Sequence, residues 1–179
     1  MQHAAFRWFA RHMSMRALTQ LEIEDLYRDH ALGLVRFALL LTGDRAAAED
    51  IVQDAFLGLH QRWDKVRDPG RMLGYLRIAV VNGSRSRHRR YLVARRIRLE
   101  PLAAVPSAEA TVVAAEDQRA LLAVIDALPR RQREVLALKY FLDLGEQEIA
   151  EILGISRGTV ASTASRALAA LARQLREEP

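Results

Sequence analysis

Two stretches of this 179-residue chain carry side chains suited to binding a polyanion, and the first is rich in arginine. Residues 71–98 contain nine Arg and no Asp or Glu, whereas residues 21–70 are net acidic. A concentrated basic block in an otherwise balanced chain indicates a polyanionic partner, either nucleic acid or an anionic surface. A solvated, arginine-rich helix end is the alternative explanation of the same composition.

The second stretch, residues 146–166, has the spacing of a helix-turn-helix. Ala150 is small where two helices must cross, Gly154 can adopt the positive φ of a sharp turn, and Val160 fills the angle between the helices. Ser156 can cap the second helix. An ordinary helical hairpin is the alternative. The polar residues predicted to face outward and to contact bases and phosphates are Arg157, Thr159, Ser162, Thr163, Ser165 and Arg166.

No set of residues in the sequence indicates catalysis, a cofactor or a metal site. The absence of cysteine excludes disulfides and thiolate ligands, and no two of the five His share a metal-binding helical spacing. The sequence also lacks a glycine-rich phosphate loop and a nucleophile elbow. No apolar run approaches the roughly 20 residues that span a membrane, so we expect no membrane insertion and a cytoplasmic location.

The elements that must position these residues are all predicted to be helices, because Ala, Leu, Arg and Glu dominate and strand formers do not alternate. A capping box of Thr19 and Glu22 predicts the start of the first helix, and Gly43 predicts its end. Asp44 can cap a second helix, and a third is expected from about Arg71. The second helix is predicted to bury Ala48, Ile51, Val52, Ala55, Phe56 and Leu59.

The predicted architecture is all-α, with two small helical domains joined by a flexible linker. Pro101 and Pro106 mark the linker. Pro129 suits the first turn of a helix that is expected to bury Val135, Leu136, Leu138 and one of Tyr140 or Phe141. The predicted divisions are a disordered N-terminal extension (1–18), a first domain (19–98), the linker (99–115) and a second domain ending in the helix-turn-helix (116–179).

Two distant stretches together resemble one protein family. The sequence AEDIVQDAF at 48–56, preceded by LTGD at 41–44, resembles the signature of bacterial RNA polymerase sigma factors of the extracytoplasmic-function type, in the sigma-70 superfamily. The sequence LPRRQREVL at 128–136, followed by GISRGTV at 154–160, resembles the promoter-reading fourth region of the same family. The resemblance depends on the order and spacing of the two stretches together, because a helix-turn-helix alone also occurs in other classes of transcriptional regulator.

The resemblance implies an alternative sigma factor without enzymatic activity, which binds core RNA polymerase and promoter DNA and directs promoter recognition, melting and initiation. An anti-sigma factor is a further candidate partner. The residues implied to dock on core polymerase are Asp50, Gln53, Asp54 and Phe56. Those implied to bind the −10 element are Arg77, Asn82, Arg85, Arg87, Arg89 and Arg90. The helix-turn-helix residues above would read the −35 element. A stand-alone helix-turn-helix regulator that binds a palindrome as a dimer is the alternative function.

Some positions depart from the family pattern or extend it. Ala161 stands where many relatives carry Lys or Arg on the recognition helix, and Val80-Val81 replaces a more basic stretch. Residues 1–18 match nothing in the family. Tyr75 and Trp63 are candidates for stacking on unpaired bases, although both also suit a core position.

Overall fold

In the computed structural model, residues 2–62, 69–97 and 122–177 are described, and all regular elements among them are helical. The all-α prediction is therefore confirmed. The predicted linker, Trp63 and the loop at 64–68 lie outside the described residues. The helices are α1 (Gln2–Thr42), α2 (Arg45–Gln61), α3 (Pro69–Ile97), α4 (Arg130–Leu136), α5 (Glu146–Leu153) and α6 (Arg157–Glu177), with a π-helical turn at Ala137–Phe141 and a helical turn at 122–126.

Helix α1 starts earlier than the sequence predicts. Its backbone is helical from Gln2, through the segment expected to be disordered and through the expected start at Thr19. Residues 2–32 contain no Gly or Pro, so nothing in their sequence stops a helix from propagating. The end of α1 is as predicted, because Gly43 has a φ of +67° and its N–H donates to the carbonyl of Leu39 at 2.8 Å.

The first domain is built from α1, α2 and α3, and its core lies between them. Asp44 begins α2 as predicted, with its carboxylate accepting the N–H of Ala47 at 3.2 Å. All six predicted inward residues of α2 are buried. Gly83 allows α3 to approach α2 closely, because a Cβ there would lie 2.8 Å from Cγ2 of Ile51. Val80 and Val81 belong to this core, which explains why apolar residues are found there instead of basic ones.

The second domain contains a π-helical turn that the sequence did not predict. The N–H of Leu142 donates to the carbonyl of Ala137 at 3.1 Å, which is the i to i−5 bond of a π turn. The extra residue changes the register, so Ala137 and Leu138 are buried while Tyr140 and Phe141 are 56% and 42% exposed. The expectation that one of these aromatic residues is buried is therefore wrong.

The two domains pack against each other. Apolar residues of α1 and α3 form one continuous cluster with those of the π turn and α5. The carbonyl of Leu41, in the last turn of α1, accepts a hydrogen bond of 3.2 Å from Arg133 of α4. The interface brings α4 and α5 against the basic part of α3, where the sequence predicts a DNA-binding surface.

Candidate nucleic-acid interface

Helices α5 and α6 form the helix-turn-helix that the sequence predicts. Gly154 ends α5 in the left-handed conformation, with φ of +66°, and the N–H of Ile155 donates to the carbonyl of Ala150 at 3.0 Å. Val160 is fully buried in the angle between the helices. Ser156 caps α6, since its hydroxyl accepts the N–H of Thr159 at 3.1 Å.

Five of the six residues predicted to contact the −35 element lie on the exposed face of α6. Ser162 donates to the carbonyl of Thr159 at 3.2 Å, and Nε of Arg166 donates to the carbonyl of Ser162 at 3.2 Å. These hydrogen bonds hold the guanidinium along the helix surface. The exposed five are Arg157, Thr159, Ser162, Ser165 and Arg166.

The sixth, Thr163, is only 3% exposed, so the prediction that it faces outward is wrong. It follows the buried Val160 by three positions and precedes the buried Ala167 by four, which places it on the packed side of α6. Ala161 is exposed on the same helix. The exposed face of α6 is therefore made of hydroxyl, guanidinium and methyl groups.

The residues of α3 predicted to bind the −10 element divide into two groups. The first group is exposed and consists of Asn82, Arg87, Arg89 and Arg90. Within it, Arg87 donates to the carboxylate of Asp44 at 2.8 Å, and Arg89 donates to the hydroxyl of Ser86 at 3.1 Å. Both contacts are at the surface. An ion pair such as that between Arg87 and Asp44 contributes little stability there and opens easily to another anion.

The second group, Arg77 and Arg85, faces the second domain instead of solvent. Nε and Nη2 of Arg85 donate to the two carboxylate oxygens of Glu134 at 2.8 and 2.9 Å. This hydrogen bonding raises the pKa of Arg85. Nη1 of Arg77 lies 3.9 Å from the carboxylate of Glu148 on α5. Burial lowers the pKa of Arg77, and its Nε is buried without a hydrogen-bond partner among the described residues.

Glu134 is the residue at this interface that sequence reasoning missed. Its side chain is only 2% exposed, and besides Arg85 it lies 3.2 Å from Arg131 and 3.6 Å from Arg130. One carboxylate thus faces three guanidinium groups. A signal was present in the sequence, because Glu134 precedes the core residue Leu138 by four positions and so lies on the apolar stripe of its helix.

The four residues implied to dock on core polymerase lie on α2, but not on one face. Asp50, Gln53 and Asp54 are exposed. Phe56 is only 5% exposed and packs edge-on against Tyr27, with the ring centroids 4.9 Å apart and the planes at 63°. Its neighbour Leu57 is 55% exposed, so Leu57 presents the apolar surface on this helix.

The stacking candidate Tyr75 is partly buried, and its hydroxyl accepts a hydrogen bond of 2.8 Å from Arg62. Across the described residues, no group of three or more His, Asp or Glu side chains is arranged to hold a metal ion. In that same part of the chain, no helix is long and apolar enough to cross a membrane.

Comparison with known protein families matches both domains. The family described as Sigma-70 region 2 matches residues 26–92, which include α2 and most of α3. The family described as Sigma-70, region 4 matches residues 118–171, which include the helix-turn-helix. The two matches follow the order of the two domains.

Similar proteins match along most of their length. The RNA polymerase sigma-E factor of Streptomyces coelicolor is 34% identical over 155 residues, covering 87% of this chain and 86% of the relative. The ECF RNA polymerase sigma factor SigL of Mycobacterium tuberculosis is 32% identical over 158 residues, covering 85% of this chain and 88% of that protein.

Two solved structures share the fold. The sigma factor RpoE from Bartonella quintana, solved in complex with the anti-sigma factor NepR, has a TM-score of 0.73 at 21% identity and covers 87% of this chain and 99% of that chain. CnrH, solved in complex with the cytosolic domain of CnrY, has a TM-score of 0.66 at 23% identity and covers 89% of this chain and 91% of that chain.

Proposed function

We propose, on the premise that this chain belongs to the extracytoplasmic-function type of sigma-70 RNA polymerase sigma factors, that its two domains divide promoter recognition between them. The chain is an alternative sigma factor that binds core RNA polymerase and directs promoter recognition, DNA melting and transcription initiation. In the proposal, α2 docks on core polymerase, α3 binds the −10 element and α6 reads the −35 element.

One observation carries the role of α6: it presents exposed hydroxyl and guanidinium groups and has no acidic residue before Glu177. A helix of this kind enters the major groove without repelling phosphates, and its polar groups hydrogen-bond base edges and backbone oxygens. Arg157 is in the first turn of α6, close to the helix N-terminus that favours phosphate. Arg166 is more than two turns further along the same helix.

The proposed role of α3 rests on its arginines and on Asn82. A melted single strand needs cations along its phosphates and surfaces for its unstacked bases. The guanidinium groups supply the cations, and Asn82 can hydrogen-bond a base edge. Unstacking a base takes a few kcal/mol, and capture of the exposed base by α3 offsets that amount, which favours the melted promoter.

The proposed docking surface on α2 is acidic and includes one apolar side chain. Asp50 and Asp54 are exposed one helical turn apart, with Gln53 beside them. Carboxylates here suit a basic protein surface and would repel DNA. Phe56 acts in this proposal by holding α2 in place from within the core, and Leu57 supplies the apolar contact.

We further propose that the chain has no catalytic activity of its own, because initiation chemistry belongs to core polymerase. Its location would be the cytoplasm, where core polymerase works. An anti-sigma factor is a proposed partner, supported by the structural relative RpoE, which was solved in complex with the anti-sigma factor NepR. The alternative of a stand-alone regulator is not favoured, since it leaves the region 2 match without a role.

Co-elution with core polymerase tests the proposed docking surface. We expect the wild-type chain to co-elute with core on size exclusion, and Asp50→Lys with Asp54→Lys to abolish that co-elution while the fold is retained. The matched control is Asp25→Lys with Asp29→Lys, which makes the same charge change on exposed positions of α1. Equal co-elution of the α2 variant and the control would contradict the proposed surface.

A further inference from the structure

We propose that a cavity between the two domains is a binding site for a small phosphate-type oxyanion, either inorganic phosphate or the phosphoryl group of a small monoester. The cavity has a volume of about 130 Å³ and lies between the end of α1, the basic part of α3 and α4. The charged and titratable side chains that line it are those of Arg85, His88, Arg130, Arg133 and Glu134. The inference does not rest on the proposed function, because the ligand is neither promoter DNA nor core polymerase.

The cavity and its ion pairs have an excess of positive charge. Three guanidinium groups line it, and Glu134 is the one carboxylate among the lining residues. The ion pairs add one further cation, Arg131 beside Glu134, and one further anion, Asp126 beside Arg133. Four guanidinium groups are thus matched by only two carboxylates, which leaves an excess of two positive charges. Partly buried charge is costly unless it is neutralised, so a dianion is favoured here.

Three of the lining side chains also have hydrogen-bond donors without an acceptor among the described residues. Nε of Arg133 is buried without a partner. The guanidinium of Arg130 lies 3.6 Å from Glu134, which is too long for a hydrogen bond. His88 has no hydrogen bond or ion pair within the described part of the chain, and its ring can donate one. Donors on α3 and α4 can therefore contact one ligand from both domains.

Two of the cations are already held in place by other contacts. Nη1 of Arg133 donates to the carbonyl of Leu41 at 3.2 Å, and Nη2 donates to the carbonyl of Asp126. Arg85 donates to the two carboxylate oxygens of Glu134 at 2.8 and 2.9 Å. Because these side chains are fixed before a ligand arrives, binding costs little side-chain entropy. Arg130 is 47% exposed and can turn towards the ligand.

The size of the cavity selects a small ligand. Its volume is that of about four water molecules in the liquid, which is comparable with one tetrahedral oxyanion and too small for a nucleotide. The oxygens of phosphate match the planar fork of a guanidinium. A DNA strand is not favoured as the occupant, because its backbone must both enter and leave a space bounded by two domains.

A phosphate in this cavity contacts both domains at once. It binds fully only when α3 and α4 are together, so its binding free energy stabilises that arrangement by mass action. The melting temperature of the chain should therefore rise with phosphate concentration. The same rise should be smaller when a lining cation is removed.

Isothermal titration calorimetry of the full chain with inorganic phosphate tests the site, with sodium chloride keeping the ionic strength constant. We expect one phosphate per chain. Arg130→Gln should raise the Kd about tenfold or more, since it removes a hydrogen bond between charged groups. His88→Ala should raise the Kd from the α3 side. Both positions are exposed, so we expect both variants to fold, and circular dichroism checks this.

The matched control is Arg173→Gln, which removes an exposed cation of the second domain outside the cavity. It should bind phosphate as wild type does. Equal Kd values for Arg130→Gln and Arg173→Gln would overturn the site, and so would the absence of binding to wild type at up to about 10 mM phosphate.

Two further probes distinguish the sources of the phosphoryl group. Glycerol phosphate that binds more tightly than inorganic phosphate, with the same loss in Arg130→Gln, assigns the site to a monoester, and the reverse order assigns it to the free ion. A short single-stranded DNA without terminal phosphates is the third ligand. If this DNA alone binds with that sensitivity to Arg130→Gln and His88→Ala, the occupant is nucleic acid and the proposal is overturned.

Nuclear magnetic resonance of the ¹⁵N-labelled chain locates the bound ion. Phosphate should shift the amide signals of residues 84–88 and 130–134. Shifts confined to α6, which also carries exposed cations, would overturn the assignment to the cavity. None of these outcomes bears on whether the chain binds core polymerase or promoter DNA, so the site and the proposed function can fail separately.

Discussion

Arg85 of α3 and Glu134 of α4 are 49 positions apart in the sequence and share two hydrogen bonds, of 2.8 and 2.9 Å, across the boundary between the domains. A cation that the sequence assigns to DNA is thus held by a carboxylate of the other domain. The same interface partly buries Arg77, which lies 3.9 Å from the carboxylate of Glu148. The two domains therefore contact each other through residues that are proposed to bind DNA.

The close approach of α2 and α3 gives a prediction with a matched control in the same helix. Gly83→Ala places a methyl 2.8 Å from Cγ2 of Ile51, so we expect overpacking to lower the unfolding free energy by about 1–3 kcal/mol. Gly74→Ala meets nothing within 4 Å and should raise it by about 0.5–1 kcal/mol through helix propensity. Urea unfolding measures both, and a Gly83→Ala variant that is as stable as wild type would contradict this packing.

Phe56 and Leu57 are neighbours on α2 with opposite predicted roles. Phe56→Ala should lower the unfolding free energy by about 3–5 kcal/mol, because the ring is buried against Tyr27. Leu57→Ala should change it by no more than about 0.5 kcal/mol, since Leu57 is an exposed side chain, and should weaken co-elution with core polymerase. A folded, fully stable Phe56→Ala that loses polymerase binding would make Phe56 an interface residue instead.

Arg166 tests the register of the recognition helix. Arg166→Ala should weaken binding of the holoenzyme to duplex promoter by about 1–3 kcal/mol if the guanidinium contacts a base, or reduce the salt slope by about one if it contacts phosphate. Arg173→Ala removes an exposed cation two turns further along α6 and is the control. Affinity and salt slope both unchanged in Arg166→Ala would mean that another face of α6 meets the DNA.

Asp44 gives a pH-dependent prediction. Burial alone would raise its pKa, but the N–H of Ala47 and the guanidinium of Arg87 outweigh burial and lower the pKa from 3.8. A lowered pKa means that the stabilisation is present above the unfolded value and is lost as the pH falls through the folded one. Asp44→Ala should lower the unfolding free energy by about 1 kcal/mol at neutral pH.

The difference in unfolding free energy between Asp44→Ala and wild type should shrink as the pH falls below 3.8, because the Asp44 carboxylate of the wild type is then progressively neutralised. Urea unfolding at a series of pH values gives the comparison. A difference that stays constant through this acid range would show that the carboxylate charge has no part in capping α2.

The sequence predicted most of the local structure because the relevant signals are local. The end of α1 at Gly43, the cap at Asp44 and the helix-turn-helix around Gly154 each depend on a few adjacent residues. The buried face of α2 was also predictable, since helical periodicity fixes it. The start of α1 was not, because a capping motif at Thr19 competes with an uninterrupted run of helix formers before it.

The remaining differences arise from register and from contacts between domains. The π turn rotates Tyr140 and Phe141 outward, and no local residue pattern marks that extra residue. Thr163 is polar but follows the helical spacing of the buried positions. The Glu134 contact joins separate domains, so a single sequence indicates only that a charged residue lies on an apolar stripe.

Run-off transcription tests the central claim most directly. Core polymerase, supplied with this chain and a pool of promoter fragments from its source genome, should produce discrete transcripts that core alone does not produce. Arg166→Ala should reduce them, and the Arg173→Ala control should not. Absence of any transcript dependent on the wild-type chain, with core shown active alongside another sigma factor, would contradict the account.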